Sequence, residues 1–159
     1  MLFAIFIILN SFQSNIFASI DHKNRILFIS SYNSSFPVFF QQIEGIKSVL
    51  TDKNSIFDLE FMDSKRFYQN KNINNFYDLL SYKIKNNSEK YNAIIVGDDN
   101  AYDFAMKYQK ELFNDIPIVF LGVNDVQKAL NSKSEHLVTG VAEDRSEERR
   151  VGKECPRCV

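Results

Sequence analysis

Short apolar runs alternate with longer segments of helical periodicity between residues 25 and 143, and this alternation limits the possible folds. The strand-like runs cover residues 25–30, 56–63, 91–97, 117–123 and 137–143. The helical segments cover residues 39–50, 73–84, 101–112 and 125–130. Strands joined by such helices must run parallel, and right-handed crossovers then place helices on both faces of the sheet. The sequence therefore predicts an α/β domain built on an open, doubly wound parallel sheet.

Two of the predicted strands have patterns that indicate their place in the sheet. In the second strand Phe57, Leu59 and Phe61 alternate with Asp58 and Glu60, so that one face is apolar and the other charged. This period of two is typical of an edge strand. The third strand, YNAIIVG, is apolar throughout, which predicts a central position buried on both faces.

Composition and charge exclude several classes of protein. Hydrophobic residues make up 45% of the 159 residues, with 15 Phe and 7 Tyr, so the chain can build a globular core. The 19 basic and 20 acidic residues are spread along the chain without a basic stripe, which argues against nucleic-acid binding. A zinc or redox site needs partners that are missing here: the two histidines, His22 and His136, are isolated, and the two cysteines, Cys155 and Cys158, stand as a lone pair at the end of the chain.

The first eighteen residues have the layout of a secretory signal peptide. An apolar block from Leu2 to Leu9 is followed by a polar neck and the small residue Ala18, although no Lys or Arg precedes the block. The alternative is that Leu2 to Leu9 forms a buried first strand. We predict a signal peptide over residues 1–18, and hence a periplasmic or extracytoplasmic location.

The last fifteen residues differ in character from the rest of the chain. The stretch RSEERRVGKEC, Arg145 to Cys155, resembles the translation of a short-read sequencing adapter, and its ordinary interpretation would be a solvated charged tail. We therefore expect residues 19–144 to form the natural domain and residues 145–159 to be a non-native tail.

Polar residues follow each of the first four predicted strands. They lie at Ser30–Asn33, Asp63–Arg66, Asp98–Asn100 and Gly122–Asp125. In doubly wound sheets ligands bind outside the carboxyl ends of the strands, where such loops converge. The neighbouring carboxylates of Asp98 and Asp99 repel each other unless water, a donor or a ligand compensates them. The sequence therefore predicts a ligand cleft at this edge of the sheet.

Local structure offers a second interpretation of these residues. Asp99 or Asn100 can cap the helix that begins near Ala101, but one cap position does not need Asp98 as well. Lys65 and Arg66 either form a solvated edge or neutralise Asp98 across the cleft.

Common catalytic motifs are absent from the sequence. It contains no glycine-rich phosphate loop after the first strand, no GxSxG elbow, no HExxH and no Cys–His pair. A flavodoxin-like FMN site is less firmly excluded, although the first loop has no glycine that would let backbone amides close on a phosphate. We therefore expect a non-catalytic chain without a cofactor or a metal.

Four ordered motifs carry a resemblance to a known family. They are SY after the first strand, DSKRF after the second, DDNA after the third and GVN after the fourth. Over roughly Arg25 to Glu143 the chain resembles the first lobe of the ABC transporter substrate-binding-protein-like family, which has the type I periplasmic-binding fold. The resemblance implies that two lobes close on a small organic ligand, and that the second lobe is absent here. It implies these ligand-binding residues: Ser31, Tyr32, Asp63, Lys65, Asp98, Asn100 and Asn124.

Three functions follow as hypotheses. The resemblance favours an extracytoplasmic sensor lobe of a bacterial histidine kinase or diguanylate cyclase, whose partner is a membrane signalling module. The alternative is a soluble periplasmic binding protein that delivers its ligand to an ABC permease. The third hypothesis is a cytoplasmic flavodoxin-like enzyme, and under this hypothesis the purified protein would carry a yellow cofactor.

Overall fold

The computed structural model describes residues 24–50, 55–114, 116–132 and 137–143. Its five strands are β1 (Arg25–Ser30), β2 (Ile56–Phe61), β3 (Ala93–Gly97), β4 (Ile118–Val123) and β5 (Val138–Ala142). Its four α-helices are α1 (Phe39–Val49), α2 (Asn70–Lys85), α3 (Asp99–Tyr108) and α4 (Val126–Ser132). The predicted signal peptide and the predicted non-native tail lie outside the described residues, as does the alternative first strand.

All five strands run parallel in one sheet of order β2-β1-β3-β4-β5. The predicted α/β class is confirmed, as are the edge position of β2 and the central position of β3. The chain leaves β1 toward β2 on one side and later returns to β3 on the other side. This reversal makes the boundary between β1 and β3 the switch point, where ligands bind in sheets of this kind.

Helices cover both faces of the sheet. Successive strand side chains point to opposite faces, so each face presents apolar side chains on which a helix can pack. On one face Phe39 and Ile43 of α1 pack on Phe28 of β1 and on apolar residues of β2. On the other face α2, α3 and α4 cover a larger core that includes Leu27 and Ile94. The arrangement is doubly wound, as the sequence predicted. Among the described residues, no helix is both long and apolar enough to cross a membrane.

The helix after β3 differs from the predicted one at both ends. The helix expected near Ala101 begins at Asp99, directly after the third strand. Its C-terminal end continues as a π-helical turn, Gln109–Phe113, which buries Leu112 and Phe113. The turn ends at Asn114, whose left-handed conformation (φ 42°) terminates the helix.

Candidate functional site

A cleft of about 520 Å³ lies at the carboxyl edge of the sheet. Its walls come from residues at or just after the carboxyl ends of the five strands, together with the start of α1. Residues that carry its chemistry are Tyr32, Phe36, Lys65, Asp98, Asp99 and Asn124. Parallel strands end at a common edge, and this geometry brings together side chains that are far apart in the sequence.

Tyr32 and Asp98 face each other across the switch point. The Tyr32 hydroxyl, which follows β1, donates a hydrogen bond of 2.7 Å to Asp98 Oδ2, which follows β3. Lys65, which follows β2, places its Nζ 2.6 Å from Asp98 Oδ1. Asp98 Oδ1 is buried and accepts no hydrogen bond of good geometry from the described residues, so charge pairing with Lys65 alone compensates it. Of the two interpretations left open for Lys65 and Arg66, neutralisation of Asp98 holds for Lys65, whereas Arg66 pairs with Asp63.

The backbone of Asp98 is held in an unusual conformation. Its φ of 74° and ψ of 167° lie in a region that almost only glycine adopts. Its N–H donates to Leu121 O at 2.9 Å, and its C=O accepts from Tyr102 N at 3.1 Å. These two bonds fix a conformation that costs on the order of 1–3 kcal/mol, and strain of this kind is concentrated at functional sites.

Ser31 takes the capping role that the sequence assigned to Asp99 or Asn100. Its hydroxyl accepts a hydrogen bond from Ala101 N at 2.8 Å and donates one to Gly97 O at 2.9 Å. Asp98 occupies the N-cap position of α3 but forms no side-chain capping bond. The observed contacts therefore do not support the capping interpretation of the carboxylates: Asp98 and Asp99 bind Tyr32 and Asn124, and the hydroxyl of Ser31 binds the Ala101 amide at the helix start.

Asp99 ties α3 to the loop after β4. Its Oδ1 accepts from Asn124 N at 2.9 Å, and its Oδ2 accepts from Asn124 Nδ2 at 2.6 Å. Burial would raise the pKa of Asp99, but the hydrogen bonds from Asn124 and the attraction of Lys65 and Lys128 hold it below its usual value. Asp99 therefore stays ionised at neutral pH and keeps Asn124 in place beside the cleft.

Asp63 lies in the loop after β2, next to the cleft but outside its lining. Arg66 binds both carboxylate oxygens of Asp63, and Asn33 Nδ2 donates to Oδ1 at 3.1 Å. The hydrogen bonds from Arg66 lower the pKa of Asp63, and the bond from Asn33 lowers it further against the opposing effect of burial. This cluster holds the loop that carries Lys65.

Tyr32 also forms an aromatic pair with Phe36. Their ring centroids are 3.7 Å apart and the ring planes differ by 7°, so Phe36 covers one face of Tyr32. Lys65 Nζ lies over the Tyr32 ring at 5.3 Å from its centroid. Phe36 was not among the residues predicted for the site. Its position in the same short loop, four residues after Tyr32, could have indicated that the two rings meet.

The structure therefore separates the seven residues that the resemblance implied. Four of them line the cleft: Tyr32, Lys65, Asp98 and Asn124. Ser31 is fully buried beneath it, and Asp63 supports the neighbouring loop. Asn100 lies away from the cleft lining, where its Nδ2 donates to Ser64 Oγ at 2.9 Å beside a second groove between α2 and α3.

Backbone amides of the loop after β1 donate hydrogen bonds to acceptors within or next to the same loop. Tyr32 N donates to Ser30 Oγ at 3.1 Å, Ser35 N to Asn33 Oδ1 at 2.8 Å and Phe36 N to Asn33 O at 3.2 Å. A phosphate-binding loop needs several such amides pointing at the anion. This arrangement therefore argues against a phosphate or FMN site at the first loop.

Acidic side chains outnumber basic ones in the lining of the cleft. The carboxylates of Asp98, Asp99 and Glu143 line it together with one ammonium group, that of Lys65. Within the described residues, no group of three or more His, Cys, Asp or Glu side chains is arranged to hold a metal ion. The arrangement can accept hydrogen bonds from a ligand, pair with a charged group and stack against an aromatic ring.

Comparisons with known proteins add no family to this description. No family model matches the chain, and no curated protein or solved structure matches it either.

Proposed function

We propose that this chain is the ligand-binding lobe of an extracytoplasmic sensor in a bacterial signalling receptor of the histidine kinase or diguanylate cyclase type. The observation that carries the proposal is the contact of Tyr32, Lys65 and Asp98 across the switch point between β1 and β3. Ligands bind at this position in open α/β sheets.

The energetics of Asp98 support a binding role over a purely structural one. Its side chain is only 14% exposed, and its backbone is strained. A partly buried ion pair such as Asp98–Lys65 contributes little net stability, because the cost of removing the charges from water offsets their attraction. Because the Ser31 hydroxyl already binds the Ala101 amide at the start of α3, the Asp98 carboxylate does not stabilise the fold as a helix cap either. A strained, desolvated carboxylate facing a cleft is consistent with selection for recognition.

The open shape of the cleft supports a two-lobed receptor. A small ligand bound in a typical site is buried over most of its surface, whereas this cleft supplies one wall. In the proposed receptor a second lobe supplies the opposite wall. The ligand then binds the closed arrangement of the two lobes more tightly than the open one, and this difference shifts the equilibrium that the signalling module reads.

Export can be tested with a fusion of alkaline phosphatase after Glu143, since that enzyme is active only outside the cytoplasm. We expect the fusion carrying residues 1–143 to be active and a matched fusion lacking residues 1–18 to be inactive. Equal inactivity of the two fusions, with both proteins present at normal levels, would contradict an extracytoplasmic location.

The type of protein can be tested on the genomic DNA that follows the codon for Asp144. We expect it to encode a second lobe, then a membrane-spanning helix and a kinase or cyclase domain. A stop codon directly after the second lobe would instead identify a soluble carrier for an ABC permease.

A further inference from the structure

A second cavity, of about 370 Å³, lies at the opposite edge of the sheet from the cleft. Its walls are the end of α2, the segments that lead into β3 and β4, and the π-helical turn Gln109–Phe113. Ligand-binding pockets measure about 300–1,000 Å³, and π-helical turns are rare and frequently occur at functional sites. We call it the amino-edge cavity, and its lining includes Ile84, Lys85, Lys90, Leu112, Phe113 and Ile116.

One part of the amino-edge cavity is apolar. Leu112 and Phe113 of the π-helical turn are buried in the larger core of the protein. Ile84 of α2 and Ile116 before β4 pack against the same core but are only partly buried. Because their remaining apolar surface is in contact with water, a ligand with an apolar body gains free energy by covering it.

The polar acceptors around the cavity already have donors. Asn87 Oδ1 accepts from Arg25 Nη1 at 2.6 Å and from Glu89 N at 3.2 Å. The Tyr77 hydroxyl donates to Glu111 Oε1. Arg25 Nη1 also lies 3.8 Å from Glu89 Oε2. A ligand that brought further donors would compete with these contacts.

Several donors of the lining, by contrast, are unused. In the part of the chain that the structure describes, the ammonium groups of Lys85 and Lys90 form neither an ion pair nor a hydrogen bond, and Asn87 Nδ2 donates to no acceptor. An ammonium group offers three donors and no acceptor. The polar part of the lining is therefore complementary to a group that only accepts hydrogen bonds, such as a carboxylate.

We propose that the amino-edge cavity binds a small organic carboxylate with an apolar body. The apolar body covers Ile84 and Ile116. The carboxylate accepts hydrogen bonds from Lys85 and Lys90. An organic cation is disfavoured, because the acidic side chains of the lining already have partners whereas the basic ones do not. This site is separate from the cleft and does not depend on the proposed function.

A titration with three probes of equal chain length tests the site. Hexanoate, 1-hexanol and hexylammonium differ in the charge of the head group, and each is added to the ¹⁵N-labelled chain at low ionic strength. We expect hexanoate to shift the amide resonances of Lys90, Leu112 and Phe113, with an affinity at least about tenfold higher than that of hexylammonium. Added salt should weaken the binding of hexanoate much more than that of 1-hexanol.

Variants test the position of the carboxylate. Lys85→Met and Lys90→Met each remove one ammonium group, and we expect each to weaken hexanoate binding roughly threefold to tenfold, the range that an exposed charge pair permits. Binding of 1-hexanol should change little. Lys90→Arg keeps the charge and should retain most of the affinity. Lys71→Met is the matched control, because it removes the same charge from the opposite end of α2.

The outcomes decide for or against this site. Weaker hexanoate binding in both cavity variants but not in Lys71→Met would support it. Tighter binding of hexylammonium than of hexanoate, or an equal loss in Lys71→Met, would overturn it. Shifts confined to Lys65 and Asp98 would overturn it as well, because they would place the carboxylate in the cleft. Absence of any shift in the cavity lining would also refute it, and the proposed function would stand because the two sites share no residue.

Discussion

Tyr32 and Asp98 are joined by a hydrogen bond of 2.7 Å, although 66 positions separate them in the sequence. The bond links the ends of β1 and β3, the two neighbouring strands between which the chain reverses its direction across the sheet. It therefore joins the two sides of the switch point, the place where ligands bind in open α/β sheets. This bond, the contacts of the neighbouring loops and the packing of the sheet lead to four measurable expectations.

The first concerns the hydroxyl of Tyr32. Tyr32→Phe keeps the stacking on Phe36 but removes the donor to the Asp98 carboxylate, so we expect a loss of about 1–2 kcal/mol in the free energy of unfolding. Urea denaturation at pH 7 measures it. Tyr82→Phe is the control, because Tyr82 is 67% exposed and its loss should cost less than about 0.5 kcal/mol. Equal stability of the two variants would show that the Tyr32 hydroxyl contributes nothing.

The second concerns Ser31 as the cap of α3. Ser31→Ala leaves Ala101 N and Gly97 O without this buried partner, and we expect a loss of about 1–3 kcal/mol. Ser48→Ala is the matched control: its hydroxyl bonds Gly45 O on the exposed surface of α1, and alanine favours the helix. A Ser31→Ala variant as stable as Ser48→Ala would contradict the capping role.

The third compares two glycines. Gly45 lies within α1, and a Cβ added there meets no atom within 4 Å, so Gly45→Ala should stabilise the protein by roughly 0.5–1 kcal/mol. A Cβ at Gly140 would lie 2.0 Å from Phe120 O, so Gly140→Ala should cost at least about 2 kcal/mol. Thermal unfolding of the two variants should shift in opposite directions, and shifts in the same direction would contradict the packing of β5 on β4.

The fourth concerns the acid limit of stability. Because folding lowers the pKa of Asp63, its ionised form stabilises the native state above the unfolded pKa, near 3.8, and this contribution disappears as pH falls through the lower folded pKa. We expect Asp63→Asn to be less stable than the parent at pH 6 by under about 1 kcal/mol, since Arg66 is largely exposed. The difference should shrink below pH 4.

Arg66→Met provides the control for the Asp63 prediction, because it breaks the same ion pair by removing the partner of Asp63. Asparagine tolerates the left-handed backbone at position 63 (φ 50°), so Asp63→Asn adds no torsional strain at that position. Urea unfolding between pH 2.5 and pH 6 should give parallel profiles for the two variants. A pH-independent difference between parent and Asp63→Asn would contradict the role of the ion pair.

Periodicity was enough to predict the fold class and the positions of β2 and β3. Phe57, Leu59 and Phe61 alternate with charged residues because β2 packs only one face against α1, and this pattern is local. The neutralisation of Asp98 by Lys65 was also within reach, since parallel strands end at one edge.

The details of the site depend on contacts that no local pattern contains. Capping of α3 comes from Ser31, a residue 70 positions away from the amide that it binds. The direction of Asn100, which turns toward Ser64, depends on how α3 is placed against the loop after β2. The conformation of Asp98 is fixed by bonds to Leu121 and Tyr102, and only the assembled sheet supplies them.

The left-handed geometry at position 98 has a consequence for libraries of variants. Glycine at this position would relieve the torsional cost and lose the hydrogen bond from Tyr32, two effects of similar size, so a screen for heat tolerance should accept it. The same substitution would delete the carboxylate, so a screen for response to a stimulus should retain aspartate. A substitution accepted by the first screen and rejected by the second is the result that the proposed function predicts for this position.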